Sequence, residues 1–203
     1  RSAPSHAHAL VDGVRLHWVE LGDARGPAPL LLLHALYDSH RTWKHVAPDL
    51  AADRRVLMPD LPCHGLSERP DASYELVWHA SVVAHWLDSL GVGQVDIVGH
   101  SFGGGVAQML LREFPGEFEG SSSSRLEAWE GDPCSARLAS MPVVVEAFGQ
   151  PFMGIGTHLA LLRNPAFTKD EIRELATMNA EPGSARAFAR TVRDIIDWRG
   201  QRR

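Results

Sequence analysis

"VDIVGHSFGGG", residues Val95 to Gly105, sets a serine between an apolar run and a glycine-rich run, with Gly99 two positions before Ser101 and Gly103 two after. "QVDIV" has the length and composition of a strand buried on both faces, and "FGGGVAQMLLREF" continues as a helix. A chain that turns from strand into helix this sharply holds its apex residue in a backbone conformation most side chains avoid, at a cost of ~1–3 kcal/mol. Gly99 and Gly103 then fall where strand and helix approach too closely for a side chain. Ser101 is the candidate nucleophile, and the following helix aims its unpaired amides and positive dipole end at any negative charge that forms beside it.

Working outward, "GVRLHWVELG" (Gly13 to Gly22) alternates Val14, Leu16 and Trp18 with polar partners, the period-2 pattern of a half-buried strand in an edge hairpin. "LLLLH" (Leu30 to His34) and "RRVLMPDLP" (Arg54 to Pro62) read as buried parallel strands, with "RTWKHVAPDLA" as a short helix between them. Leu76, Val77, Ala80, Val83, Ala84, Leu87 and Leu90 recur at helical spacing until Gly91 stops the run. Strand and helix in alternation predict an α/β fold: a mostly parallel sheet with helices on both faces, whose ligands gather at the carboxyl ends of the strands. After the elbow, "GSSSSRLEAWEGDPCSARL" (Gly120 to Leu138) has no β-branched run and reads as irregular loop. Helical segments follow, with capping-box spacing at Thr168 and Glu171. The division expected is a core at 1–119, a linker at 120–137 and a helical cap at 138–203.

Three stretches resemble the α/β-hydrolase superfamily, in its compact esterase-like branch with a helical cap. "LLLLHALYDSHRTW" resembles the family's strand followed by His-Gly, "VLMPDLPCHGLSERP" its Asp-x-x-Gly-His-Gly-x-Ser loop, and the Ser101 stretch its nucleophile elbow. The resemblance covers roughly residues 10 to 115. It implies that Ser101 is the nucleophile, that the backbone N–H groups of Leu36 and Phe102 form an oxyanion hole, and that His34, His64 and Asp60 brace the loops around the pocket, with His100 beside the elbow and Phe102 lining the acyl site. Serine at the elbow disfavours the related dehalogenases and epoxide hydrolases, which use aspartate there. Carbon–carbon bond hydrolases, perhydrolases and acyltransferases share the serine. Ala35 stands where the family usually has glycine, so a positive φ there would strain the oxyanion loop. Cys63 stands where glycine or another residue normally precedes the His-Gly pair, and reads as a partly buried bystander.

The family's catalytic acid and histidine come after the cap, on later strands, and find no match before Arg203. His158 falls in "GIGTHLALLRNP", which reads as helix, and Asp132, Asp170, Asp194 and Asp197 fall in an irregular stretch or on helix surfaces. The core is therefore expected to be incomplete. The expected activity is hydrolysis of a small ester or related acyl compound, and the alternative is a non-catalytic fragment or ligand-binding relative.

The 203 residues are 44% hydrophobic and 22% charged, as in an ordinary globular protein, with a net charge of -5 from an even mixture of signs. That balance gives no attraction to nucleic acid or anionic membrane, so a small-molecule acyl substrate is the expected partner. No apolar run approaches a membrane span, and no apolar signal core follows Arg1, which makes a cytoplasmic location the expectation. No cofactor is called for. The 11 histidines read as scattered, with His6 and His8 in a stretch expected to fray, so no metal site is expected.

Overall fold

The computed structural model describes residues 3–23, 26–115, 145, 149–162, 167–197 and 200–201. The chain divides into two compact units, Arg1–Glu68 with Val77–Glu127, and Arg69–Leu76 with Ala128–Arg203. The expected linker at 120–137 lies outside the described residues.

The first unit is built on a five-stranded sheet: β1 (Ser5–Val11), β2 (Val14–Leu21), β3 (Leu30–Leu33), β4 (Val56–Pro59) and β5 (Asp96–Gly99), in the order β1-β2-β4-β3-β5. β3 pairs in parallel with both β4 and β5, while β1–β2 and β2–β4 are antiparallel, so the sheet is mixed. The expectation of a frayed amino end is corrected here: residues 5–11 form a full strand, with His8 opposite His17 in register. The turn explains why. Asp12 (φ 49°) and Gly13 (φ 78°) both sit in the left-handed region, as a two-residue hairpin turn requires.

All four leucines of β3 are buried, as a strand flanked on both sides demands. Val19, Leu30, Leu32, Val56 and Met58 pack together with Ala47. Each fully buried side chain of this size contributes roughly 1.5–3 kcal/mol. The single helix expected at "RTWKHVAPDLA" is a 3-10 turn (His40–Trp43) followed by the short α1 (Ala47–Leu50). Pro48, with no N–H to donate, starts a new helix and cannot continue the previous one. α2 (Leu76–Ser89) buries Ala80, Val83, Ala84 and Leu87 as its periodicity predicts. It also buries His79 and Trp86 and leaves Val77 exposed. Trp86 packs against Trp18 of β2, ring centres 5.4 Å apart. α3 (Phe102–Glu113) follows β5 after two residues, His100 and Ser101.

In the second unit are α4 (Met153–Leu161), α5 (Lys169–Asn179) and α6 (Ser184–Ile195), with a two-residue ribbon of β6 (Ile196–Asp197) and β7 (Gly200–Gln201). Arg69 ties the 69–76 segment to these helices, donating from Nε to Ser184 Oγ (2.8 Å) and from Nη2 to the Met178 carbonyl (2.7 Å). Arg190 does the same through Asp71 (2.7 Å) and the Ala72 carbonyl (2.6 Å). Thr168 opens α5 with a complete capping box: its hydroxyl accepts from the Glu171 amide and the Glu171 carboxylate accepts from the Thr168 amide. Thr168→Ala is expected to lower stability by ~1 kcal/mol in urea unfolding, with Thr168→Ser close to the parent. Among the described residues, no helix is long and apolar enough to cross a membrane.

Candidate active site

β5 ends at Gly99, the His100 amide carries its ladder one residue further by donating to the Leu33 carbonyl (2.9 Å), and α3 begins at Phe102. Ser101 alone makes the turn, at φ 52°, ψ -112°. A serine before a helix usually accepts a hydrogen bond from the first turn. Ser101 makes no such cap bond, so its hydroxyl is not used to satisfy the helix end.

The two glycines are fixed by space. A Cβ on Gly99 would lie 2.5 Å from the Gly103 carbonyl oxygen and 2.6 Å from Gly104 Cα. One on Gly103 would lie 2.3 Å from the Leu33 oxygen and 2.6 Å from that of His34. All four neighbours are backbone atoms, which cannot swing aside as a side chain can.

The amides of Gly103, Gly104 and Gly105 are taken by the carbonyls of His100 (3.0 Å) and Ser101 (2.9 and 3.3 Å). Among the described residues, nothing accepts from the Phe102 amide or the Leu36 amide. Leu36 sits in the turn after β3, closed by the Asp38 amide donating to the Ala35 carbonyl (3.2 Å). Ala35 is not among the positive-φ residues; the left-handed position is Tyr37, at φ 65°. The missing glycine at 35 therefore brings no strain of the kind anticipated, because the turn places its left-handed residue two positions later.

His34 is buried and spans two loops: its Nδ1 lies 2.8 Å from the Ala35 oxygen and its Nε2 accepts from the Leu61 amide at 2.9 Å. Burial holds its pKa below the ordinary histidine value. His64 sets Nδ1 2.9 Å from the Pro62 oxygen and stacks on Phe102, ring centres 5.6 Å apart. The buried Phe102 ring also meets His79 edge-on at 5.1 Å. His100 is exposed. Cys63 is buried in the loop after β4, with φ 64°.

Asp60 is the hub of the loop cluster. Its Oδ1 accepts from the His40 amide (2.7 Å) and His40 Nδ1 (2.9 Å), and its Oδ2 from His17 Nδ1 (2.8 Å) and the Leu66 amide (2.9 Å). Burial by itself would raise its pKa, but the hydrogen bonds from His17 and His40 override that and hold it well below the usual carboxylate range. His79 is fully buried; burial first, then the charge of His34, pushes its pKa down to about 3. Above pH ~6.5 it is neutral both folded and unfolded, so it adds no pH dependence. As pH falls from ~6.5 toward 3, only the unfolded chain takes up the proton, and stability drops by up to ~1.4 kcal/mol per pH unit on this account. His79→Leu is expected to flatten that acid limb in urea unfolding at pH 4–6; an unchanged slope would assign the titration elsewhere.

A model described as alpha/beta hydrolase fold matches residues 28–120, the stretch that contains β3, β4, β5 and the Ser101 elbow. The chain has the alpha/beta hydrolase fold. Over 113 residues the chain is 42% identical to a 2-hydroxymuconate semialdehyde hydrolase of Pseudomonas sp. strain CF600, covering 52% of the chain and 38% of the relative. Over 103 residues it is 36% identical to a soluble epoxide hydrolase of Corynebacterium sp. strain C12, covering 51% and 35%. An uncharacterized Mycobacterium bovis protein is 33% identical over 188 residues, 87% of this chain and 55% of the relative. The chain thus spans about half or less of the length of these relatives. The solved epoxide hydrolase CorEH superposes with a TM-score of 0.77 at 25% identity, over 95% of this chain and 74% of that one. The epoxide hydrolase VrEH1 of Vigna radiata superposes at 0.76 and 21% identity, over 93% and 70%.

His158 is exposed within α4. Asp170 is exposed and pairs with Arg173 at 2.9 Å, and Asp194 accepts from the Leu76 amide at 2.9 Å. Asp132 and the Asp197 side chain lie outside the described residues. Among the described residues, no carboxylate pairs with His158.

Proposed function

We propose that Ser101 is the nucleophile of an acyl-transfer hydrolase acting on a small ester or related acyl compound. The observation that carries this reading is the backbone of Ser101, held at φ 52° without capping the helix it precedes. Strain of this kind persists where a site uses it. Ser101 Oγ bonds to the substrate carbonyl carbon as its proton passes to a base, and the carbonyl electron pair becomes an oxyanion. Collapse of that intermediate expels the alcohol, which takes up the proton, and water then releases the acyl group as the acid while Oγ regains its hydrogen. The Phe102 and Leu36 amides are assigned to the oxyanion, a role in which one donor is worth roughly 10²–10³ in rate. His34, Ala35, Asp60, His64, Gly99, His100 and Gly103 are assigned to support the loops and the bend. No described residue is assigned as the base. The same reading takes the protein as cytoplasmic.

Carbon–carbon bond hydrolysis is the second reading, supported by the 42% identity to the semialdehyde hydrolase. It uses the same serine at a ketone carbonyl. Epoxide opening is disfavoured because Ser101 stands where that chemistry places aspartate. Labelling with a fluorophosphonate probe, with the site mapped by mass spectrometry, is expected to mark Ser101. An unlabelled Ser101, together with no turnover of short p-nitrophenyl esters, would favour a non-catalytic ligand-binding role.

A further inference from the structure

The histidines that the sequence scatters are gathered by the first unit. Alternation along β1 puts His6 and His8 on one face, register sets His17 opposite His8, and the turn after β3 supplies His40. The rings of His6, His17 and His40 form a closed triangle, with centres 5.3 Å (His6–His17), 5.2 Å (His17–His40) and 5.7 Å (His6–His40) apart. The His8 ring centre lies 4.8 Å from that of His17. His6 Nδ1 is 3.1 Å from His17 Nε2. A tetrahedral ion held ~2.0–2.1 Å from each imidazole nitrogen spaces those nitrogens ~3.3 Å apart and the ring centres ~5 Å apart. The three ring-centre spacings and the His6–His17 nitrogen spacing lie near those values.

Asp60 decides which nitrogens are available. A carboxylate only accepts, so the His17 and His40 bonds to Asp60 put a proton on Nδ1 of both rings and, when the rings are neutral, leave Nε2 of both as a lone pair. Metal-binding histidines are oriented in this way by a carboxylate behind them. The ligand atoms of His17, His40 and Asp60 lie within 4.8 Å of one another, which could also suit a cation at the carboxylate itself. Four donors already occupy the two Asp60 oxygens, however, and such an ion would have to displace some of them.

We propose that His6 Nδ1, His17 Nε2 and His40 Nε2 bind a divalent transition-metal ion of the zinc class, which takes the place of the proton between His6 Nδ1 and His17 Nε2 as that proton passes to His6 Nε2. Imidazole sets select Zn²⁺, Ni²⁺ or Cu²⁺ over Mg²⁺ and Ca²⁺. His6 is exposed, so its ring can turn into the site and solvent can reach a fourth position. The ion would tie β1 to β2 and to the His40–Trp43 turn; Ser101 is not among its ligands.

The test uses the purified full chain, titrated with Zn²⁺ against a chromophoric chelator, then with Co²⁺ to read its tetrahedral absorption. One ion per chain is expected, at micromolar affinity or tighter, with a thermal midpoint that rises on adding Zn²⁺. His6→Ala, a surface change that leaves circular dichroism unaltered, is expected to weaken binding at least ~10-fold and abolish the thermal shift. His158→Ala is expected to bind like the parent. Absence of stoichiometric binding would overturn the proposal. So would parent-like affinity in His6→Ala, which would move the ion to His17, His40 and Asp60.

Discussion

Gly103→Ala is expected to destabilise the protein by at least ~3 kcal/mol and to abolish probe labelling. Overfilling a packed interior typically costs ~1–3 kcal/mol when side chains can readjust. Here the added methyl would meet the Leu33 oxygen at 2.3 Å and the His34 oxygen at 2.6 Å. Relief requires moving α3 off the end of β3, and β3 is the strand between β4 and β5. A loss of this size is a large part of the ~5–15 kcal/mol that holds a domain together. Gly93 is the control: a Cβ there meets nothing within 4 Å, and its φ is not positive. Gly93→Ala is expected to stay within ~0.5 kcal/mol of the parent. Urea unfolding of the pair measures the contrast, and equal midpoints would show that the bend has room.

Ser101→Gly is expected to lose labelling entirely while gaining stability, by ~1 kcal/mol. Glycine enters the left-handed region without a clash and relieves strain of ~1–3 kcal/mol, less ~0.5–1 kcal/mol for the extra freedom of the unfolded chain. Ser101→Ala removes the hydroxyl but keeps the Cβ, so it is expected to lose labelling without the gain. Opposite movements of stability and labelling in Ser101→Gly would separate a functional strain from an incidental one. If Ser101→Gly unfolds at lower urea than Ser101→Ala, the bend is supported by contacts to the serine side chain and not stressed by it.

The elbow and the three parallel strands were legible because their signals are local. A tetraleucine run, a glycine two places to either side of a serine and a Thr168–Glu171 capping pair each state their geometry within a few residues. The first hairpin carried an equally local sign in Asp12-Gly13 between the alternating runs "HAHALV" and "VRLHWV", one that outweighs the expectation of a frayed end. The Asp60 cluster was legible only in part. Asp60 and His64 lie in one quoted loop, but His17 and His40 reach Asp60 across 43 and 20 residues, and no spacing rule expresses contacts made through sheet register. Ala35 shows the converse error: a family preference for glycine at one position says where the turn is, but not which residue bears its left-handed angle.

Asp12, Tyr37, Cys63 and Tyr74 share a positive φ with Ser101. None of the four is assigned to the chemistry of acyl transfer. A protein engineer seeking heat tolerance would begin with asparagine or glycine at such places, singly and then combined, and would leave residue 101 alone. Thermal resistance and turnover would then be adjusted at different points along the same chain.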